Sequence, residues 1–306
     1  MFSVTDDLEI KVSGGGAQFS FSKGVLSQSL LAAAIDPHLA FEIARDIERS
    51  LRIDGVGEID RDDLRVIAHR ALEARAGGDA AARYLIWRRY EESEVPVVLL
   101  LGGTSGVGKT TLALEVARRL GIARVLSTDS IRQVMRLMIS RDLMPWIHSS
   151  SFDAHETLDE IEGKKPDVLS GFRAQASSVA VGVRASIERS IEEGANLVLD
   201  GVSLYPGTID VSRLAGRAVV AFMVIAARDE VHLRERFEAR ASGQPKRVAQ
   251  RYLEHIDEIL EIQRHLIAES ERQEVPVIDN VDLDQSAREV ISYVLDRVRH
   301  DQEFNG

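Results

Sequence analysis

The chain has 306 residues, of which 44% are hydrophobic and 28% are charged, proportions that are ordinary for a soluble globular protein. Its formal net charge is −11 and it contains no cysteine, which excludes disulfides, Cys-type zinc sites and a thiol nucleophile. The acidic balance argues against nucleic acid and anionic membranes as partners, so a site for a phosphorylated ligand requires a local cluster of cations.

Residues 1–94 are predicted to form a small, mostly helical first domain. Alternating segments at 8–12 and 17–21 flank three consecutive glycines, which predicts a β-hairpin. Helical patterns follow at 37–52, 61–76 and 79–92. The N-terminus shows no basic region followed by an apolar run, so we expect no signal peptide and a cytoplasmic protein.

Residues 95–306 alternate between strand and helix patterns, which predicts a second domain of the α/β class with a parallel sheet. The predicted strands lie at 95–101, 124–127, 197–199, 218–226 and 275–278. The predicted helices lie at 109–120, 130–141, 171–193, 230–242, 247–271 and 284–299. Residues 144–166 are polar and irregular, and we interpret them as part of an insert that covers a substrate.

The segment GTSGVGKT at 103–110 matches the pattern G-x-x-x-x-G-K-[ST], and it lies between an apolar strand and an amphipathic helix as that motif requires. Such a loop directs backbone N–H groups at phosphates, its lysine adds a charge there, and its threonine binds Mg²⁺. The sequence therefore predicts a P-loop kinase domain that uses ATP and Mg²⁺. The expected ATP-binding residues are Gly103, Thr104, Ser105, Gly106, Val107, Gly108, Lys109, Thr110 and Thr111.

Two acidic residues follow predicted strands, at the edge where such sheets bind ligands. Asp129 is placed to accept the proton of an attacking hydroxyl or to help hold the metal; alternatively it only caps the next helix. Asp200 ends an apolar strand, as a ligand of the magnesium waters does, and we expect Thr110 and Asp200 to hold the metal. The alternative for Asp200 is a strand-end turn. Lys109, Asp129 and Asp200 are thus candidate catalytic residues.

Positive charge is concentrated between residues 228 and 251, a stretch that contains seven cationic and four acidic residues. Arginines that close over phosphates neutralise charge that develops during phosphoryl transfer. We expect Arg236 and Arg240 to bind ATP, Arg247 to assist catalysis and Arg251 to bind the substrate, although each is equally compatible with a solvated helix face. Three further arginines are candidates for forked contacts to a substrate carboxylate or phosphate: Arg132, Arg136 and Arg173.

Together these segments resemble the archaeal-type 2-phosphoglycerate kinases over most of residues 95–295. The resemblance rests on the P-loop region at 100–136 and on the motifs SSF at 150–152, GFR at 171–173, VSLYPG at 202–207 and RYLEHIDEILEIQ at 251–263. It implies transfer of the ATP γ-phosphoryl group to the C3 hydroxyl of 2-phosphoglycerate. The first domain resembles an ATP-cone, which implies that Lys11 and Lys23 meet a regulatory nucleotide.

The chain departs from that family where its third strand ends, because Asp200-Gly-Val-Ser203 replaces the family pattern Glu-Gly-Val-His. The acceptor is therefore open between 2-phosphoglycerate and another phosphorylated hydroxy acid or polyol. Two functions of a different class, a nucleotide-sensing regulator and a P-loop ATPase, also stay open. The sequence leaves the oligomeric state open, a homo-oligomer included.

Overall fold

The computed structural model describes residues 9–91, 93–160, 164–243 and 246–305, and for residues 232, 239–243, 246–249 and 302–305 it describes the backbone alone. The chain divides into two compact units, one of residues 1–93 with 287–300 and one of residues 94–286 with 301–306. Within the described ranges, no helix combines the length and the apolar character needed to cross a bilayer.

The first unit contains a three-stranded mixed sheet. Strand β1 (Lys11–Gly14) pairs antiparallel with β2 (Ala17–Ser20) and parallel with β3 (Glu58–Asp60). The predicted hairpin is confirmed, and residue 8 of its first strand lies outside the described residues. Strand β3 was not predicted from the sequence, because three residues are too few to show an alternating pattern.

In the described N-terminal part of this unit, the helices are α1 (Lys23–Leu30), α2 (Pro37–Ile53), α3 (Arg61–Ala76) and α4 (Gly78–Tyr90). Helix α2 begins where the Asp36 carboxylate accepts a hydrogen bond from the His38 amide at 2.9 Å, with Pro37 in the first turn. One face of this helix is apolar and buried, with Ile43 and Ile47 only 1% and 4% exposed. Position 92, the predicted end of the last helix, lies outside the described residues.

Helix α11 (Leu283–Asn305) contributes residues 287–300 to the first unit, whereas the sequence-based boundary placed them in the second domain. On one face of this helix, apolar residues recur at helical spacing and are fully buried, Val290 and Val294 among them. Arg288 also lies 3.4 Å from the Asp36 carboxylate of the first unit. Periodicity shows that one face of a helix is buried, but it does not show which core buries that face.

The second unit is built on a five-stranded parallel sheet with the strand order β5-β6-β4-β7-β8. Its strands are β4 (Val97–Gly102), β5 (Arg124–Ser127), β6 (Leu197–Gly201), β7 (Val219–Ala226) and β8 (Val277–Asp279). Every residue of β4 and β7 is buried, as expected for parallel strands with helices on both faces. The predicted α/β fold with a parallel sheet is confirmed.

The helices that alternate with these strands are α5 (Lys109–Leu120), α6 (Thr128–Met138), α7 (Val168–Glu192), α8 (Glu230–Gly243), α9 (Lys246–Glu254) and α10 (Ile256–Arg272). The predicted single helix at 247–271 is wrong. The helix is interrupted at His255, whose φ of −114° is not helical. The His255 ring stacks on Phe152 at 4.9 Å. Residues 247–271 contain no glycine or proline that would signal an interruption, and a contact with a distant segment cannot be predicted from the local sequence.

The insert at 144–166 contains short 3-10 turns at Pro145–His148 and Ala154–Thr157; its residues 161–163 lie outside the described residues. Side chains of α7 hold it in place. The buried Gln175 amide of α7 donates to the carbonyl of Trp146 at 2.6 Å and to that of Ser149 at 3.0 Å. The Trp146 indole in turn donates to the Ser178 hydroxyl at 2.9 Å. The insert is therefore an anchored part of the second unit.

We predict that Gly171→Ala destabilises the protein by about 1–3 kcal/mol, although alanine normally favours a helix over glycine. A Cβ at Gly171 would lie 2.1 Å from the backbone nitrogen of His155 and 2.5 Å from its Cα. The control is Gly78→Ala, since a Cβ at that helical position meets nothing within 4 Å. Urea unfolding followed by circular dichroism tests both variants, and an unchanged midpoint for Gly171→Ala would contradict this packing.

Candidate active site

The turn that joins β4 to α5 has the curled backbone that its motif predicts. Gly103, Gly106 and Gly108 have φ values of 144°, 90° and 84°, a region that other residues rarely adopt. A Cβ on Gly106 would lie 2.5 Å from Phe237 Cζ, and one on Gly108 would lie 2.7 Å from Asn280 Nδ2. Glycine is therefore required at these positions both for conformation and for space.

Lys109 opens α5 and is only 9% exposed. Its Nζ donates a hydrogen bond to the Thr104 carbonyl at 3.0 Å, so the ammonium group lies against the loop. The Thr104 hydroxyl is buried and has no hydrogen-bond partner among the described residues. A buried cation and an unsatisfied hydroxyl in one loop fit an anionic ligand, because burial is costly for both groups unless a partner compensates it.

Asp200 lies in β6 and is 2% exposed. Its Oδ2 accepts a hydrogen bond from the Thr110 hydroxyl at 2.6 Å, while its Oδ1 is buried without a hydrogen-bond partner in the described part of the chain. Burial raises the pKa of the Asp200 carboxyl, against the opposing effects of the Thr110 hydrogen bond and the Lys109 charge; the Asp129 charge raises it further. A hydroxyl beside a half-satisfied buried carboxylate fits a hard divalent cation such as Mg²⁺.

Two side chains from other elements hold the loop at the Val107 carbonyl. Asn280, which follows β8, donates to it from Nδ2 at 2.8 Å, and Arg236 of α8 donates to it from Nη1 at 3.1 Å. Arg236 also bonds the Asn280 carbonyl through Nη2. Sequence analysis proposed Arg236 but missed Asn280, whose only signal is its position just after a predicted strand.

Two cavities of 330 Å³ and 270 Å³ adjoin the loop and share Arg236, Asn280 and Val281 in their walls. The larger is also lined by Ala227, Asp229, Glu235 and Asp279. The smaller is also lined by Gly106, Gly108, Thr111 and Leu283. The second unit thus offers space beside the loop for the remainder of a phosphorylated ligand.

Asp129 lies in the first turn of α6, and its side chain is 70% exposed. It does not cap the helix, because Ser127 is the N-cap and accepts from the Ser130 amide at 3.1 Å. Arg132 Nη2 lies 3.2 Å from the Asp129 carboxylate, and its Nη1 donates to the backbone carbonyls of Ile147 and Ser149. Arg132 therefore links Asp129 to the insert.

Of the remaining candidate arginines, Arg136 and Arg251 make contacts with residues outside the loop. Arg136 donates to the Gln133 side chain at 3.1 Å, and Arg173 is exposed. Arg251 forms an ion pair with Asp153. The side chains of Arg240 and Arg247 lie outside the described residues. Among the described candidates, direct contacts therefore unite the loop, Asp200 and Arg236.

We predict that Asp200→Asn raises the melting temperature of the ligand-free protein near pH 7. Since burial raises the pKa of Asp200, its neutral form favours folding, and that stability is lost as the pH rises through the folded-state pKa. Asparagine cannot ionise, so the gain over the wild type should vanish at pH values below the ordinary carboxyl pKa, which is about 3.9. Thermal melts across this pH range test the prediction.

Asp210→Asn is the matched control, because its pKa is lowered, first by the Ser212 hydroxyl and also by Arg213. The stability contributed by that ionised carboxylate is present near neutral pH and lost on acidification, so this variant should melt at a lower temperature than the wild type at pH 7. A shift of the same sign in both variants would contradict the electrostatic assignment of Asp200.

Comparison with known proteins places the chain in a family. A family model described as AAA domain matches residues 99–257, which include the loop, Asp200 and Arg236. The 2-phosphoglycerate kinase of Pyrococcus furiosus is 38% identical over 284 residues, covering 92% of each chain. The enzyme of the same name from Methanopyrus kandleri is 37% identical over 286 residues, covering 93% of this chain and 86% of that one.

A third relative, the 2-phosphoglycerate kinase of Methanocaldococcus jannaschii, is 35% identical over 298 residues and covers 97% of this chain and 95% of its own. These similarities extend through both units. They confirm the resemblance drawn from the motifs. The chain belongs to the 2-phosphoglycerate kinase family.

Proposed function

We propose that the protein transfers the γ-phosphoryl group of ATP to the free C3 hydroxyl of 2-phosphoglycerate and so forms 2,3-bisphosphoglycerate and ADP. The observation that carries this proposal is the contact between Thr110 of the phosphate-binding loop and Asp200 of β6 at 2.6 Å. It joins the loop to the acid at the edge of the sheet, inside a chain similar along almost its whole length to enzymes of that name.

The loop residues support ATP binding through backbone N–H groups, the helix N-terminus and the buried Lys109. Thr110 and Asp200 are the residues that would hold Mg²⁺, because one oxygen of Asp200 is buried and unpaired in the described structure. When bound, Mg²⁺ neutralises charge on the phosphate oxygens. The ammonium group of Lys109 would also neutralise negative charge on these oxygens.

The two acids have different surroundings, which supports different roles. Asp200 is buried and hydrogen-bonded to Thr110, which suits a metal site. Asp129 is exposed, and Arg132 holds its carboxylate. We assign to Asp129 the proton of the C3 hydroxyl, which it accepts as the new P–O bond forms and the bond to the departing ADP oxygen breaks.

The cations of α8 and α9 are proposed to close over the phosphates. Arg236 already contacts the loop through the Val107 carbonyl, which supports its assignment to ATP. Arg240 and Arg247 follow it in the chain and retain their proposed roles in ATP binding and catalysis. Such positive charge lowers the energy of the transition state by neutralising the transferring group. In a protein of net charge −11 it also attracts anionic ligands locally.

A different acceptor is the main competing possibility. Ser203, where the family pattern has histidine, is buried to 6% exposure two residues after β6 ends. This change is compatible with another phosphorylated hydroxy acid or polyol as the acceptor. A screen of ADP release with phosphorylated acids and polyols of three to six carbons separates the two possibilities. The proposal requires that 2-phosphoglycerate gives the highest kcat/KM.

We predict that Lys109→Ala lowers kcat/KM for ADP release with 2-phosphoglycerate. The loss should correspond to at least about 3 kcal/mol of transition-state stabilisation. Solvent cannot replace a compact charge held against the phosphates. The control is Arg45→Ala, which removes an exposed cation of α2 and should leave the rate unchanged. Retention of more than a tenth of the wild-type rate by Lys109→Ala, with native circular dichroism, would overturn the assignment of the loop.

We further propose that the first unit binds a regulatory nucleotide. It contains a cavity of 470 Å³ whose lining combines aromatic rings, serines and the arginines Arg61, Arg65 and Arg88. The Arg88 Nε is buried and has no hydrogen-bond partner among the described residues. Rings that can stack on a base and cations that can pair with phosphates are the two requirements of a nucleotide site.

The two lysines proposed for this role from the sequence, Lys11 and Lys23, are chain neighbours of the lining residues Val12 and Ser22. Lys11 is exposed on β1, and Lys23 pairs with Glu48 at 3.3 Å. Neither is among the described residues that line the cavity. The arginines are therefore the sharper targets for testing the regulatory site. Point variants are preferable to a chain that starts near residue 94, because such truncation removes most of the unit that contains residues 287–300.

We predict that the full-length protein binds two ATP molecules per chain in equilibrium dialysis. Arg61→Gln and Arg88→Gln should each weaken ATP binding in the first unit at least about fivefold. Lys109→Ala should weaken ATP binding at the phosphate-binding loop. Arg45→Gln, an exposed change on α2, is the control and should weaken neither. Binding of a single nucleotide per wild-type chain would refute the regulatory site and leave the kinase assignment intact.

A further inference from the structure

We propose that Asp153 is a positioning residue that holds the Arg251 guanidinium for the acceptor and so connects the insert to α9. This inference rests on the proposed kinase function. Asp153 lies in the insert next to Phe152, and no role was predicted for it from the sequence. Its ion pair with Arg251 joins segments that are 98 residues apart in the chain.

The surroundings of Asp153 are costly for the fold. The residue is 7% exposed; its Oδ2 accepts from Arg251 Nη2, and its Oδ1 is buried without a hydrogen-bond partner in the described structure. A buried carboxylate with one oxygen unsatisfied stabilises a fold less than an apolar side chain of similar volume. The charge is therefore better explained by what it does to Arg251 than by stability.

Arg251 is held in a way that leaves it accessible. Its guanidinium carbon lies 5.7 Å from the centre of the Phe152 ring, while 54% of its side chain is exposed. A guanidinium group carries five N–H donors in a rigid plane, which suits paired hydrogen bonds to a carboxylate or phosphate. With one side on Asp153 and Phe152, Arg251 offers the rest of that plane to an anionic acceptor.

A continuous set of aromatic contacts extends from this pair to the phosphate-binding loop. Phe152 meets the Tyr252 ring edge-on at 5.8 Å, and Tyr252 stacks on Phe237 at 5.2 Å with an interplanar angle of 10°. Phe237 is fully buried and occupies the space that a Cβ on Gly106 would need. Rigid packing of this kind fixes where α9 holds its arginine relative to the loop.

The test is a double-mutant cycle of Asp153→Asn and Arg251→Gln in the full-length enzyme, measured with 2-phosphoglycerate and ATP. Each single variant should raise KM for 2-phosphoglycerate at least about tenfold and leave KM for ATP within twofold. The double variant should be no worse than Arg251→Gln alone, because Asp153 acts through Arg251. Asp210→Asn, a change at an exposed acid outside the insert, is the control and should leave both KM values as in the wild type.

Isothermal titration of 2-phosphoglycerate into the same variants gives a readout that does not depend on turnover, and it should show the same pattern in Kd. A KM for the acceptor within twofold of the wild type in Asp153→Asn, or additive effects in the cycle, would overturn the inference while wild-type activity stands. A wild type that does not phosphorylate 2-phosphoglycerate would instead overturn the proposed function. The cycle is then decided with the acceptor that the ADP-release screen identifies.

Discussion

The hydrogen bond between the Thr110 hydroxyl and the Asp200 carboxylate is the contact on which the arrangement of the site depends. It exists because β4 and β6 are parallel neighbours whose register pairs Leu101 with Asp200 and Gly102 with Gly201. Parallel strands end at the same edge of a sheet, so the loop that leaves β4 and the acid that ends β6 meet there. Burial makes Asp200 costly in the ligand-free protein, and a cation bound beside it would relieve that cost.

A second constraint comes from β8, an edge strand of the sheet, and from α8. Asn280 and Arg236 both bond the Val107 carbonyl, so the end of β8 and the helix α8 hold the loop in one conformation. The same arginine lines both cavities beside the loop. A single side chain thus supports the loop and carries positive charge in the walls of both cavities, an arrangement that is preorganised for an anionic ligand.

The insert is held by the same principle with different residues. Gln175 and Arg132 tie the carbonyls of the insert to α7 and α6, and Arg132 also holds Asp129. Within the insert, Phe152 packs against Tyr252 of α9 and Asp153 forms an ion pair with Arg251 of α9. Groups from distant parts of the chain are therefore held by buried polar contacts and aromatic packing, which have little freedom to shift independently.

Sequence alone determined the phosphate-binding loop, the parallel sheet, the acid at the end of β6 and the family, because each depends on local pattern and spacing. Glycine spacing reports backbone conformation, and an apolar run followed by an acid reports a strand that reaches the ligand edge. Tertiary structure decided the break at His255, the grouping of residues 287–300 with the first unit, and the partners of Arg132, Arg251 and Asn280. These features depend on contacts between residues far apart in the chain, and local periodicity contains no information about which distant surface a side chain will meet.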